Sequence, residues 1–369
     1  MEKLKAGIIG AGNISGIYIK NLRELFCDSV DLRAIANTSP EKAREAAARH
    51  GLDFAESPDM LLARDDIAIV LNLTPPAAHY AVAKAALEAG KHIYNEKPLC
   101  ANLADGEALL DLARKNNVRV SCAPDTFLGA GIQTARKLID DGWIGRPVAG
   151  VAFMMNHGPE DWHPAPEFFY APGGGPLFDM GPYYLTALAA LLGPVAAVTG
   201  NATTAFDTRD ITSKEKYGKK IPVTTPTHIS ALLDFSCGAA LSLTMSFDVW
   251  SHTLPPIEIY GSEGTLQIGD PNFFISPVRL KRRNAATWQE IPLIGPSGPR
   301  LAGLLDHENW RGIGVADMAE AIQTNRRHRA SGELALHILE VMTRILESSK
   351  TGKRLAVSHG CERPDKLNR

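Results

Sequence analysis

Short, mostly apolar stretches alternate with longer amphipathic ones through the first third of the chain. Residues 6–9, 31–36, 67–71, 92–94 and 119–122 have the length and β-branched content of strands. The run Ile67-Ala68-Ile69-Val70-Leu71 has no polar break, as a strand covered on both faces requires. Between these stretches, helical spacing is expected from the first glycine turn to Asn21, from Pro40 to His50, over 78–89 and over 100–117. Ser39-Pro40-Glu41 reads as a helix start, with Ser as N-cap, Pro at the first helical position and an acid in the first turn. Strands alternating with helices of this length predict right-handed βαβ units and a parallel sheet.

The pattern changes near Asp125. After a helix over 132–141 come stretches of alternating polarity at 147–155, 196–203, 228–235, 240–247, 257–260 and 265–268, joined by turns such as Gly261-Ser262-Glu263-Gly264. Helical spacing returns over 314–324 and 333–349. The expectation is two domains: residues 1–124, an α/β doubly wound parallel sheet, and residues 125–369, an α+β domain with a large, mostly antiparallel open sheet. The length of 369 residues agrees with two domains. A net charge of −2 supplies no basic field, so no nucleic-acid partner and no membrane are expected. Five scattered cysteines without a C-x-x-C fit reduced thiols, and the start runs straight into a strand without a signal peptide, so a cytoplasmic location is expected.

Gly10-x-Gly12-x-x-Ser15 follows the first strand and opens the first helix. Two glycines permit a tight turn and close approach of a pyrophosphate, and the helix N-terminus favours its charge. Gly10, Gly12, Asn13 and Ile14 are therefore candidates to bind a dinucleotide on a Rossmann domain; a plain glycine-bearing turn is the alternative. The second strand ends in Asn37-Thr38-Ser39 rather than in the acid that binds the ribose of NAD. These residues are read as ribose contacts, and the cofactor is left as NAD(H) or NADP(H), with Lys42 or Arg44 as possible help to a 2′-phosphate. Thr74 and Pro75 end the third strand, and His79 follows; they are candidates for a wall beside the cofactor, with a strand terminator and an exposed helix histidine as the alternative.

Glu96-Lys97-Pro98 ends the next strand, and Pro98 restricts the backbone of Lys97. Glu96 and Lys97 would lie beside a dinucleotide, where Lys97 touches both cofactor and substrate; a surface ion pair is the alternative. Asp179 and Tyr183 follow Gly173-Gly174-Gly175 at a spacing of four. If Asp179 begins a helix, the two share a face, a carboxylate and a phenol suited to proton transfer. An N-capping Asp and a core Tyr would look the same in sequence. Glu160, Trp162 and His163 form a third candidate patch, able to bond sugar hydroxyls and stack on a pyranose. His157 and His163 lack further ligands at metal spacing, so no metal is expected. The stretch from His307 to Arg311 is either a surface loop or a cover for the cleft.

Jointly, Gly10-Ala11-Gly12, Thr74-Pro75 with His79, Ala89-Gly90-Lys91-His92 leading to Glu96-Lys97-Pro98, and Gly173-Gly174-Gly175 with Asp179-x-Gly181 carry a resemblance over about residues 3–350. The chain resembles the glucose–fructose oxidoreductase / inositol 2-dehydrogenase / rhizopine catabolism family, Gfo/Idh/MocA. That resemblance implies an NAD(P)-dependent oxidoreductase acting on a sugar, cyclitol or derivative. It makes Lys97 the lysine at the nicotinamide and substrate, and Asp179 the substrate-binding acid. Tyr183 falls where many members carry a catalytic histidine, and Thr186 where another acid is common. The resemblance also implies a homodimer or homotetramer through the open face of the second-domain sheet. Two alternatives stay open: redox-neutral, NAD-dependent cleavage of a glycosidic bond, and a non-catalytic sugar or dinucleotide sensor.

Overall fold

The computed structural model describes residues 3–296 and 303–367. Its first third is a run of strand–helix units: β1 (Leu4–Ile9), α1 (Ser15–Glu24), β2 (Val30–Ala36), α2 (Pro40–His50), β3 (Asp53–Ala55), α3 (Pro58–Leu62), β4 (Ile69–Asn72), α4 (His79–Glu88), β5 (His92–Asn95), α5 (Leu103–Lys115) and β6 (Val120–Cys122). The strands form a six-stranded sheet in the order β3-β2-β1-β4-β5-β6, every pair parallel. The order reverses between β1 and β4. At such a switch point the loops after neighbouring strands part and leave a crevice beyond the carboxyl ends. The middle strands are apolar on both faces, and Ile8, Ile35, Val70, Leu71 and Ile93 are fully buried. The short β3 and α3 were not legible in the sequence. Ser39 does stand at the N-cap of α2 in extended conformation, yet its hydroxyl bonds the Glu41 carboxylate (3.1 Å) and makes no cap bond.

The remaining elements are α6 (Ala130–Asp140), β7 (Pro147–Met155), α7 (Gly175–Leu192), β8 (Val195–Thr203), β9 (Thr208–Asp210), β10 (Lys220–Pro222), β11 (His228–Phe235), β12 (Ala240–Ser246), β13 (Ile257–Gly261), β14 (Gly264–Ile268), β15 (Val278–Arg282), β16 (Gln289–Ile291), α8 (Ile313–Gln323), α9 (Gly332–Thr351) and β17 (Leu355–Ala356). A nine-stranded sheet runs β16-β15-β14-β13-β7-β12-β11-β8-β17. Its pairs are antiparallel except β12 with β7. Along β11, Ile229, Ala231, Leu233 and Phe235 are buried while Leu232 between them is 57% exposed. This is the period-two pattern of a sheet with one covered face. The cover includes α7, which packs on β7, β11 and β12 and is apolar on nearly every side because it is buried nearly all round.

The chain forms two compact units, and the division differs from the expected single break after residue 124. The first unit comprises Met1–Ala130, Gly295–Leu339 and Pro364–Arg369; the second comprises Gly131–Ile294 and Glu340–Arg363. The late segment stays in the first unit because specific bonds hold it there. Asn21 on α1 donates to the carbonyls of Asn309 and Arg311 (3.1 and 2.9 Å). The Ser121 hydroxyl and the Cys122 amide both donate to Ala330 O (2.6 and 3.1 Å). Trp310 is fully buried. Removing a ring of that size from water contributes about 2–3 kcal/mol.

Candidate active site

The glycine turn is wedged between two strand exits. Gly10 has φ +113°, and a Cβ there would lie 2.6 Å from Leu73 O, so only glycine fits. Its amide donates to Ala36 O at the end of β2 (2.9 Å). Gly12 differs: a Cβ there would meet nothing within 4 Å, so its bare backbone faces open space. Ser15, at the third motif position, turns its hydroxyl back onto Gly12 O (2.7 Å) and closes the turn. Helix α1 then starts with no side-chain cap and no acid in its first turn. Its amides and dipole are left for an external anion. An exposed backbone approach followed by an uncapped helix start fits the diphosphate of a dinucleotide.

Two buried asparagines, in register at the ends of β4 and β5, organise the neighbouring loops. Asn72 Nδ2 donates to Asn95 Oδ1 (2.9 Å) and to His79 O (3.1 Å), while its Oδ1 accepts the Thr74 hydroxyl (2.6 Å). Asn95 Nδ2 donates to Leu99 O (3.2 Å). The pair was missed in the sequence. Its signal was an Asn closing each of two apolar strands, Ile69-Val70-Leu71-Asn72 and His92-Ile93-Tyr94-Asn95. His79 is neither an exposed helix residue nor a wall open to a ligand. It is 1% exposed, with Nδ1 2.7 Å from Pro98 O and Nε2 2.9 Å from Thr74 O. Burial holds it below the ordinary histidine range despite those two carbonyls. The ring therefore bridges the exits of β4 and β5, fixing the Thr74 and Glu96–Pro98 loops to each other.

Glu96 and Lys97 are both half-buried at the end of β5. Glu96 is no surface ion-pair residue: Oε1 accepts the Tyr18 hydroxyl of α1 (2.7 Å), and Oε2 accepts the Lys97 amide (2.9 Å). The Lys97–Pro98 peptide is cis. At the end of β2, Asn37 is half-buried and Thr38 exposed. A carboxylate does stand nearby, one helical turn later than sequence reasoning sought it: Glu41, which takes the Ser39 hydroxyl bond. Arg44, considered for a 2′-phosphate, lies over the Phe54 ring (4.9 Å).

The remaining candidates are in the second unit. Asp179 does not begin a helix. Helix α7 starts at Gly175, where φ is +79° and a Cβ would come within 2.7 Å of Pro226 O, so glycine is required there. Asp179 and Tyr183 are thus one turn apart inside α7, on one face as expected, with Asp179 half-buried and Tyr183 8% exposed. Thr186, one turn further, is buried. Glu160 is not among groups open to a substrate. Its carboxylate is buried in an ion pair with Arg209, which also pairs with Asp248 (2.9 Å), and its carbonyl accepts the amides of Thr212 and Ser213. Trp162 is 66% exposed, and His163 packs edge-on against Trp162, Phe168 and Phe169. His157 stacks on Trp250.

Comparison with known proteins decides what these parts belong to. Residues 4–123 match a family model described as the oxidoreductase family, NAD-binding Rossmann fold, and residues 132–267 match the GFO/IDH/MocA C-terminal domain. The chain belongs to the Gfo/Idh/MocA family. Among its relatives, a dTDP-3,4-didehydro-2,6-dideoxy-alpha-D-glucose 3-reductase of Streptomyces violaceoruber is 35% identical over 204 residues, which is 54% of this chain and 58% of that protein. A levoglucosan dehydrogenase of Pseudarthrobacter phenanthrenivorans is 27% identical over 290 residues, 72% of this chain and 73% of that one. The solved oxidoreductase domain protein from Kribbella flavida shares the fold with TM-score 0.81 and 26% identity, covering 97% of this chain and 100% of that one. An NAD binding oxidoreductase from Klebsiella pneumoniae shares it with TM-score 0.84 at 23% identity, over 96% and 99%. As a Gfo/Idh/MocA protein, the chain carries an NAD-binding Rossmann domain in its first unit and the family's C-terminal domain in its second. The nine-stranded sheet and α7, with Asp179 and Tyr183, lie in or overlap the matched C-terminal part.

Proposed function

We propose that this protein transfers hydride between a nicotinamide dinucleotide and a secondary hydroxyl or carbonyl of a sugar, cyclitol or sugar derivative. One observation supports this most. A glycine turn with an uncapped helix start and a lysine turn lie at the carboxyl end of the same parallel sheet, tied together by Tyr18 and Glu96. The named activities of the two relatives, a reductase of a dTDP-linked deoxysugar and a levoglucosan dehydrogenase, agree with that substrate class.

Gly10, Gly12, Asn13 and Ile14 would hold the diphosphate; Asn37, Thr38 and Ser39 would border the adenosine ribose; Thr74 and Pro75 would border the rest. Glu41 beside Ser39 supports NAD(H) over NADP(H), since a 2′-phosphate would meet like charge there. The nicotinamide, when bound, would supply the hydride acceptor or donor. On this reading Lys97 orients the reacting oxygen and stabilises negative charge developing on it. The Tyr183 hydroxyl exchanges the proton of that oxygen, directly or through water. Asp179 accepts a hydrogen bond from a neighbouring hydroxyl. Trp162 and His163 offer an apolar face with polar edges to a sugar ring. Assembly as a dimer or tetramer and residence in the cytoplasm complete the reading; light scattering of the purified protein tests the first.

The test is titration with NADH and with NADPH, followed by absorbance of the reduced nicotinamide on adding sugars, inositols and nucleotide-linked sugars. Lys97→Ala should bind cofactor like the parent and lose about 10²–10³-fold or more in turnover. Parental turnover in that variant would remove Lys97 from the mechanism. Cofactor binding with no absorbance change on any substrate would favour redox-neutral cleavage or a sensor.

A further inference from the structure

The helix that would bear the diphosphate and the turn that bears Lys97 are joined by one side chain. Tyr18 is fully buried on α1, and its hydroxyl donates to Glu96 Oε1 at 2.7 Å. The other oxygen of that carboxylate takes the Lys97 amide at 2.9 Å. The Tyr18 ring meets Tyr94 of β5 edge-on, centroids 6.0 Å apart, which fixes where the hydroxyl points. We propose that Tyr18 is a positioning residue: it holds the Glu96 carboxylate so that the backbone at Lys97, and with it the lysine side chain, keeps one direction relative to the glycine helix. The proposal rests on the role assigned to Lys97 above.

The physical argument is satisfaction of a carboxylate. Glu96 is half-buried, and a carboxylate oxygen left without a donor there is costly. Burial, and then the charge of Glu96, keeps the Tyr18 hydroxyl protonated well above the ordinary tyrosine range, so the donor is present at every working pH. The titratable groups around Glu96 are Tyr18 from α1, Tyr94 from β5, His79 from α4, Cys122 from β6, Asp125 just beyond β6, and Lys97 itself. Burial holds His79 below the ordinary histidine range, and burial pushes Tyr94, Cys122 and Asp125 toward their protonated forms. Tyr18 is a side chain that donates directly to this carboxylate. Without the Tyr18 hydroxyl, Glu96 Oε1 loses that donor and the carboxylate is held only from the Lys97 side, so its grip on the Lys97 amide loosens.

Tyr18→Phe removes one oxygen and keeps the ring. The first readout needs neither cofactor nor substrate: competitive acylation of the apo protein, with the labelling rate of Lys97 followed by mass spectrometry and exposed Lys84 as internal reference. Lys97 should change at least threefold relative to Lys84, with the melting temperature nearly parental. Glu96→Gln should change it similarly, and the double variant no further than Glu96→Gln alone, because both act through one contact. Where turnover is measurable, Tyr18→Phe should lower kcat with the cofactor Kd unchanged. Unchanged Lys97 labelling, or additive effects in the double variant, overturns the proposal. A parent without turnover on any substrate would count against the proposed function, while the labelling result still decides the role of Tyr18.

Discussion

Gly10 and Gly12 are the same residue in the same turn for opposite reasons. At Gly10 a side chain has no room and the backbone is left-handed; at Gly12 the room is there and the structure does not fill it. Gly10→Ala should therefore destabilise the fold by at least the cost of strained backbone, about 1–3 kcal/mol, read as a lower melting temperature. Gly12→Ala should leave the melting temperature within a degree or two and weaken NADH binding about tenfold or more. The pair separates a folding glycine from a ligand-approach glycine. Parental NADH affinity in Gly12→Ala would mean that the diphosphate does not approach there. Both glycines were legible in the sequence, since the turn follows a strand and opens a helix. Their separate duties were not, because the clash at Gly10 comes from Leu73 and Thr74, just past the end of β4. Glu160 is the converse case. In sequence it stood beside Trp162 and His163 as an open acid, whereas its partner Arg209 lies 49 residues on, in β9.

At the scale of elements, helix α8 has no cap of its own. Its N-cap is Gly312, at φ +103°. Asp125, from the segment after β6, supplies the cap: Oδ2 accepts the amides of Gly312 (2.9 Å) and Gly314 (3.0 Å). Burial pushes this carboxyl above its usual range, and the two amides pull against that shift. Asp125→Ala should cost about 1–2 kcal/mol, with faster amide exchange in the first turn of α8. Asp125→Asn, which keeps an acceptor, should recover most of the loss. Equal unfolding midpoints for parent and Asp125→Ala would show that the cap contributes nothing. Local pattern foretold α8 nearly to the residue, because its spacing is a property of its own sequence. The cap belongs to a residue 187 positions earlier, and no window of sequence contains both.

Over the whole molecule, the tail after α9 is tied down by another buried carboxylate. Glu340 accepts the amides of Ser358 (3.0 Å) and His359 (2.6 Å), the His359 ring (2.9 Å) and Arg344 (3.2 Å). Burial acts to raise this carboxyl, but the two amides, the ring and Arg344 together hold it at about 2. In the unfolded chain a glutamate titrates near about 4.3. The stabilisation is thus fully present above that value and is lost as pH falls toward 2. Urea midpoints should drop less steeply below pH 5 in Glu340→Gln than in the parent, and the variant should be the less stable protein at pH 7. Parallel curves would show that Glu340 is not the acid-sensitive tie.

The sequence by itself determined most of the alternation of strands and helices, the parallel first sheet and six strands of the second, but not its β15, β16 and β17, because side-chain period and turn residues are local properties. It also marked the glycine turn and the Glu96-Lys97-Pro98 exit, since both sit where a strand ends. Only the tertiary structure decided that residues 295–339 rejoin the first unit, that His79 bridges two loops, that Asn72 and Asn95 pair, and that Tyr18 reaches Glu96. Each of these depends on hydrogen bonds between residues far apart in the chain. Such bonds follow from strand order and register, which hydrophobic periodicity does not encode.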